Sequence, residues 1–340
     1  MLITIIDFNN DLHKPTVATD NTTRRKDLRR SDLGRSFAKL MPRGPTLLIV
    51  GVLAGLAFPA LAVSVRPLMA AAIFVLVLGT FLQVDGVAFR RALGRPLVSL
   101  LLPALAMLAC PLAVGFAARG AGFRPELIVA LVLSVCAPPS TGTAAVARML
   151  GFDATIPLAV TLLSMALAPV TVPLIAAGFA GLALDPLALA ARLALLVVGA
   201  GALALLLRRQ AAAQLARHSR TIDALVLASL LVFAIATMAG VRAQIEAQPA
   251  TALSFVGLAF ACNLALQALG ALLTPGPLAE RLTTGLILSN RNVGLVWSAM
   301  GAAVSPMTAL FFAATQFPIY MMPRLIELLV RRERKEKAPS

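Results

Sequence analysis

The sequence predicts an all-α polytopic membrane protein, with ten transmembrane helices in two inverted five-helix repeats. Three observations predict it. Hydrophobic residues make up 59% of the 340-residue chain and charged residues 13%, at a mean hydropathy of +0.88, whereas soluble domains carry about 25% charged residues. From Leu47 onward, apolar runs long enough to cross a bilayer alternate with short polar hinges. Two of those runs are interrupted by polar residues, at matching places in the two halves of the chain.

The formal charge of +15 would suggest nucleic acid in a soluble chain. Here the Arg and Lys lie mostly between apolar runs, as the positive-inside rule expects, and no basic module with interleaved aromatics accompanies them. The expected partner is the lipid bilayer, with no nucleic acid, and nothing in the sequence fixes an oligomeric state. Cys110, Cys136 and Cys262 all lie inside apolar segments without CxxC spacing. They read as core packing, not as a disulfide framework or a zinc site. His13 and His218 fall outside the spans, so no intramembrane His is available for a metal or a proton relay. No cofactor is expected.

Residues 1–44 hold nine Lys or Arg and five Asp, and read as a disordered, basic cytoplasmic arm. A transit peptide is the rival reading, which the five Asp oppose, and a mis-assigned start remains open beside both. Ten spans follow at about 47–64, 67–84, 97–117, 126–150, 154–175, 187–207, 222–241, 251–273, 280–303 and 306–330 within a transporter domain of residues 45–330. Several boundaries rest on proline or charge, at Pro67, Arg95-Pro96, Arg124-Pro125, Asp185-Pro186 and Thr274-Pro275-Gly276-Pro277. Residues 331–340 read as a basic cytoplasmic tail. With the N-terminus inside, the inner loops collect Arg90, Arg91, Arg95, Arg208, Arg209, Arg217, Arg220 and Arg281. The outer loops keep Arg66, Arg119, Arg124 and Arg242. Both termini are therefore expected on the cytoplasmic side of the cytoplasmic (inner) membrane.

The ninth span is split by Ser289-Asn290-Arg291-Asn292. Neither half alone crosses the ~30 Å core at ~1.5 Å per residue, so the object is a broken helix. A guanidinium at that depth costs several kcal/mol and persists where it meets a cavity, a partner or a substrate, which makes Arg291 a site candidate. The bland alternative puts Arg291 at a membrane surface between two buried fragments of a soluble fold. The fourth span is broken as well: Pro138-Pro139 removes two backbone donors, and Ser140-Thr141-Gly142-Thr143 follows. Alone this could be a kink without function. Both breaks fall in the fourth member of a set of five, and an odd set implies inverted halves, about 45–176 and 186–330. Paired interruptions of this kind point to a transporter's central site. Thr161 and Ser164 share one helix face, and Asn263 and Gln267 another. The second pair reads first as helix–helix hydrogen bonding.

The run C-A-P-P-S-T-G-T (Cys136 to Thr143), continuing through Leu150-Gly151-Phe152-Asp153 into A-V-T-L-L-S-x4-P (Ala159 to Pro169), resembles the bile acid:sodium symporter superfamily. So do S-N-R-N-V-G-L (Ser289 to Leu295) and the loop Asp85 to Pro96. The resemblance covers residues 45 to 330. It implies a panel domain and a core domain, with broken helices 4 and 9 crossing at their unwound centres near the bilayer midplane and sodium ions behind the crossing. It places Thr143 and Thr161 where the family has sodium ligands. It also places Ala144 on the family's Asn, Ala106 near its Gln, Ile287 near its essential Glu, and Arg291 on a Gln. Most sodium-binding oxygens are thus missing and a cation stands among them, which argues against sodium coupling.

The function expected from the resemblance is a secondary transporter moving a small organic anion by alternating access. Ser140, Thr141, Thr143, Thr161, Ser289, Asn290, Arg291 and Asn292 are its substrate- or ion-binding candidates, and Pro138 and Pro139 its helix breaks. Arg291 could replace the coupling ion or pair with an anionic substrate, since its planar fork suits carboxylate, sulfate or phosphate. The alternatives are an arsenite-permease-like exporter of the same superfamily, with Cys136 as a soft ligand, or a non-transporting sensor or scaffold. No enzyme is expected: there is no intramembrane His, carboxylate pair, HExxH or GxSxG.

Overall fold

A computed structural model describes residues 44–82, 84, 86–149, 151–180 and 185–336. The arm expected over 1–44 lies outside these residues apart from Gly44, which already opens a helix. Among the described residues the only non-helical pairing is one isolated bridge.

The helices are α1 (Gly44–Ala57), α2 (Pro59–Leu82), α3 (Gly86–Leu93), α4 (Leu97–Gly120), α5 (Pro125–Cys136), α6 (Thr143–Met149), α7 (Thr155–Ala180) and α8 (Pro186–Gln210). They continue as α9 (Ala212–Arg217), α10 (Ser219–Ala236), α11 (Val241–Ala247), α12 (Pro249–Leu273), α13 (Leu278–Ser289), α14 (Val293–Met300) and α15 (Pro306–Glu336). Proline opens α2, α5, α8 and α12 within the first turn. There its missing N–H costs nothing and its fixed φ suits the helix. Asp185 caps α8 by accepting from the amides of Leu187 and Ala188.

Six stretches are long and apolar enough to cross a membrane: Pro59–Leu82, Leu97–Gly120, Thr155–Phe179, Pro186–Gln210, Ser219–Ala247 and Pro249–Leu273. Their outward faces are apolar, with Leu174 68%, Leu187 79% and Leu253 75% exposed. A soluble protein seldom displays so much contiguous apolar surface, and the chain is an integral membrane protein of helical type.

Two boundaries differ from expectation. The chain was expected to turn at Pro67, but the helix breaks first at Phe58, ahead of Pro59. Gly51 packs against Leu231 and Ala234, and Gly55 against Met238, so α1 runs parallel to α10. Gly79 packs against Val226 while Arg66 reaches the Ala239 carbonyl, so α2 runs antiparallel to it. The direction therefore reverses between Gly55 and Arg66. At the other end, the tail expected from residue 331 is helical as far as Glu336. Arg, Lys and Glu are good helix formers and simply extend α15.

The helices pack in two groups that meet where α7 lies against α8. In one, α10 lies against α1 and α2, and α2 against α8. In the other, α5 packs on α4, α7 and α15, and α12 on α13 and α15. The α14 helix touches both groups: a side chain at Gly294 would collide with the Phe233 ring and Ile73 of the first, which is why the smallest residue stands there.

Candidate functional site

Both predicted breaks exist, and they meet. Helix α5 ends at Cys136 and α6 begins at Thr143; α13 ends at Ser289 and α14 begins at Val293. The two gaps lie antiparallel, with the Ser140 amide donating to the Asn290 carbonyl and the Asn292 amide to the Pro138 carbonyl, both at 2.7 Å. Pro139 stands opposite Arg291. In this register neither Pro139 nor Arg291 would contribute an N–H to the pairing, so proline fits at the centre without loss. Further bonds fix the ends. Ser140 Oγ accepts from the Gly142 amide at 3.2 Å. Asn292 Oδ1 caps α14 by accepting from the Leu295 amide at 3.2 Å.

The other candidates fall around this pairing. Ser140, Thr141 and Asn292 are half-buried, whereas Thr143, Ser289, Asn290 and Arg291 are buried. Thr161 is buried in α7, which packs against α6, and the hydroxyls of Thr143, Thr161 and Ser164 have no hydrogen-bond partner. Asn263 and Gln267 join α12 to α13. Asn263 Nδ2 donates to the Ser289 carbonyl at 3.0 Å, Gln267 Nε2 to the Leu282 carbonyl at 3.3 Å, and Ser289 Oγ to Gln267 Oε1 at 2.7 Å. The pair is helix–helix hydrogen bonding, as its spacing suggested.

Arg291 is 4% exposed and turns toward backbone. Its Nη1 donates to the Ala106 carbonyl at 3.0 Å and the Ala137 carbonyl at 3.4 Å, while Nε and Nη2 have no partner. Both acceptors are carbonyls that the helices leave over. Ala137 directly follows the last residue of α5, where unpaired carbonyls and the negative end of the helix dipole collect. Ala106 sits in a π-helical turn, Leu105–Ala109, in which the Cys110 amide reaches back to Leu105. The next amide in that register would serve Ala106, but residue 111 is proline and has none. Pro111 thus opens the carbonyl that the guanidinium fills. Ala106 has no polar side chain, and the oxygen it offers is that of its main chain. Ala106, Ala144 and Ile287 are themselves buried and apolar.

The three cysteines converge here, which their separation in sequence concealed. Cys136 precedes Ala137, Cys110 lies one turn beyond Ala106, and Cys262 lines a crevice shared with Arg291. All three sulfurs are within electrostatic reach of the guanidinium, and all are free thiols. Among the described residues no three metal-type ligands group together.

Arg291 is the extreme case of a wider arrangement. Arg66 donates to the Ala239 carbonyl, Arg119 to Gly178, Arg208 to Phe81 and Val84, and Arg281 to Ala271. Arg192 donates to Ala299 and Met300. These acceptors lie at or near the C-terminal ends of helices. Arg242 forms an ion pair with Glu246, on the surface. Arginine here neutralises helix ends, and carboxylates have little part in it.

No protein-family model matches the chain, and no curated protein matches it.

Proposed function

We propose that the chain is a secondary transporter of the bile acid:sodium symporter type, which carries a small organic anion across the cytoplasmic membrane by alternating access and does not use sodium as its coupling ion. The observation that carries this reading is the antiparallel pairing of the two breaks. A soluble or purely structural helix bundle has no need of two unwound segments joined at its centre, whereas transporters place their sites in such segments. Adding α1, the two interrupted pairs and α15 to the six long helices makes ten crossings in two inverted halves. This puts the paired breaks near the bilayer midplane and both termini on the cytoplasmic side.

Roles divide across the pairing. Ser140, Thr141 and Asn292 are the accessible polar groups and form the substrate side, together with the N-terminus of α14. Arg291 is sealed on the other side, where its single charge takes the place of a coupling cation among the backbone carbonyls. A fixed positive charge with no carboxylate beside it favours an anionic substrate.

Uptake of labelled small carboxylates and sulfate esters into proteoliposomes tests the reading. Protein-dependent, saturable flux is expected, little changed when choline or potassium replaces sodium. Steep sodium dependence would return Thr143 and Thr161 to the role of ion ligands, and no flux with any anion would leave a sensor or scaffold. Orientation is tested separately: a tag at Ser340 and one within residues 210–216 should both be cytoplasmic, and an external Ser340 overturns the ten-span count.

A further inference from the structure

Four apolar spans end at one border of the molecule, at Leu82, Leu97, Gln210 and Ser219. The stretch between the first two and the stretch between the last two are brought together by Arg208, whose Nη2 donates to the Val84 carbonyl at 2.7 Å. Arg90, Arg91 and Arg95 belong to the first stretch, and Arg209, Arg217 and Arg220 lie within or beside the second; all six are exposed. No Asp or Glu occurs in residues 86–125 or 186–222, and the bordering acids are Asp85 and Asp223. Arg90 turns its Nε back to the Gly86 carbonyl. The other five side chains have no hydrogen-bond or ion-pair partner among the described residues. Unlike the arginines that clasp helix ends, these carry guanidinium forks that the chain itself does not use.

Exposed leucines continue from these arginines into the spans. Leu97, Leu100 and Leu101 follow Arg95, Leu205 and Leu206 precede Arg209, and Leu225 follows Arg220. Each cluster thus has fixed positive charge where the spans end and apolar side chains within them. A nucleic acid or an acidic protein would answer the charge and leave the leucines unmatched. A molecule with a phosphate at one end and acyl chains at the other answers both, in the same order along the membrane normal. Guanidinium suits a phosphate because its parallel N–H groups reach two oxygens at once. A zwitterionic headgroup brings its own ammonium to the phosphate, so a headgroup of net negative charge is the better match.

We propose that this border holds anionic phospholipids, with the phosphates on the arginine forks and the acyl chains along the exposed leucines. The site does not depend on the transporter reading, and its test needs no transport. Thermal unfolding of the purified, delipidated full-length protein is followed in uncharged detergent at constant ionic strength. Phosphatidylglycerol, or phosphatidylcholine with the same acyl chains, is then added. Phosphatidylglycerol should raise Tm saturably, phosphatidylcholine should not, and native mass spectrometry should show the first retained in preference to the second. The combined variant Arg91→Gln, Arg95→Gln, Arg209→Gln and Arg217→Gln should fold, since none of the four side chains is bonded to the rest of the chain, and should lose both effects. Arg124→Gln, at the opposite end of α4, should keep both. Equal Tm and equal retention for the two lipids overturn the proposal, and that wild-type comparison decides by itself if the combined variant does not accumulate. An undiminished preference in the combined variant also overturns it, as does an equal loss in Arg124→Gln. Glycerol phosphate, or a short oligonucleotide, acting as well as phosphatidylglycerol would overturn it in favour of a soluble anion.

Discussion

Arg291→Gln should abolish flux of every substrate, anionic or neutral, while folded protein still accumulates in the membrane. The amide has two N–H donors but a shorter reach than the guanidinium, and each buried carbonyl it fails to reach costs about 1–3 kcal/mol. Against that loss, a buried charge that lacks an opposite charge is removed, and removing such charges is often neutral or favourable. Stability should therefore change by only a few kcal/mol in either direction, and the effect falls on the geometry of the crossing. Without the guanidinium the two hydrogen bonds that join the π-helical turn of α4 to the break after α5 are lost, and only packing holds the two together. Arg291→Lys should restore flux in part. A single nitrogen makes both carbonyl bonds, and an ammonium can replace it, but the two remaining nitrogens of the fork are lost. Expression, monodispersity and proteoliposome uptake measured together check this. A loss confined to anions, with neutral analogues unaffected, would show instead that Arg291 faces the substrate.

Gly270→Val should prevent the crossing from assembling. A Cβ at residue 270 would lie 2.7 Å from the Gly285 Cα and the Thr284 carbonyl oxygen, and 2.8 Å from the Gly285 amide nitrogen. All three are backbone atoms of α13 and cannot move aside as a side-chain tip would. The two helices must separate, at a cost of about 1–3 kcal/mol or more for overpacking. The bonds across the same interface, from Asn263, Gln267, Ser289 and Arg281, then lose their geometry as well. The measured outcome should be a large drop in Tm or in the yield of monodisperse protein. Gly178→Val, where nothing lies within 4 Å of the added Cβ, serves as the control. Wild-type stability in Gly270→Val would mean that α12 and α13 are not in close backbone contact.

The breaks at residues 138–143 and 289–292 were legible because proline and clustered polar side chains in an apolar run are local signals. So were the starts of α5 and α8, each set by a charged residue followed by proline. Phe58-Pro59 lacks the charge that marks those starts and lies inside an expected span, so the break there was not legible from the sequence. What makes Arg291 intelligible is not local. The free carbonyl of Ala106 follows from Pro111 five residues on, and its meeting with a side chain 185 residues away depends on tertiary packing. Pro111 was the available clue: a proline inside an apolar helix always leaves some carbonyl unclaimed. The convergence of Cys110, Cys136 and Cys262, and the pairing of arginines with helix ends, likewise needed three dimensions.

One of those arginines differs from the rest in what it fastens. Arg66 and Arg208 join helices of the group around α10, and Arg119 and Arg281 join helices of the group around α5 and α12. Each of these clasps would travel with its own group. Arg192 alone among them reaches from α8 to the far end of α14, where Gly301 turns the chain with φ of +58°. Sliding the two groups past each other would therefore strain that clasp and leave the other four whole, and it would also have to shear the seam where α8 packs on α7.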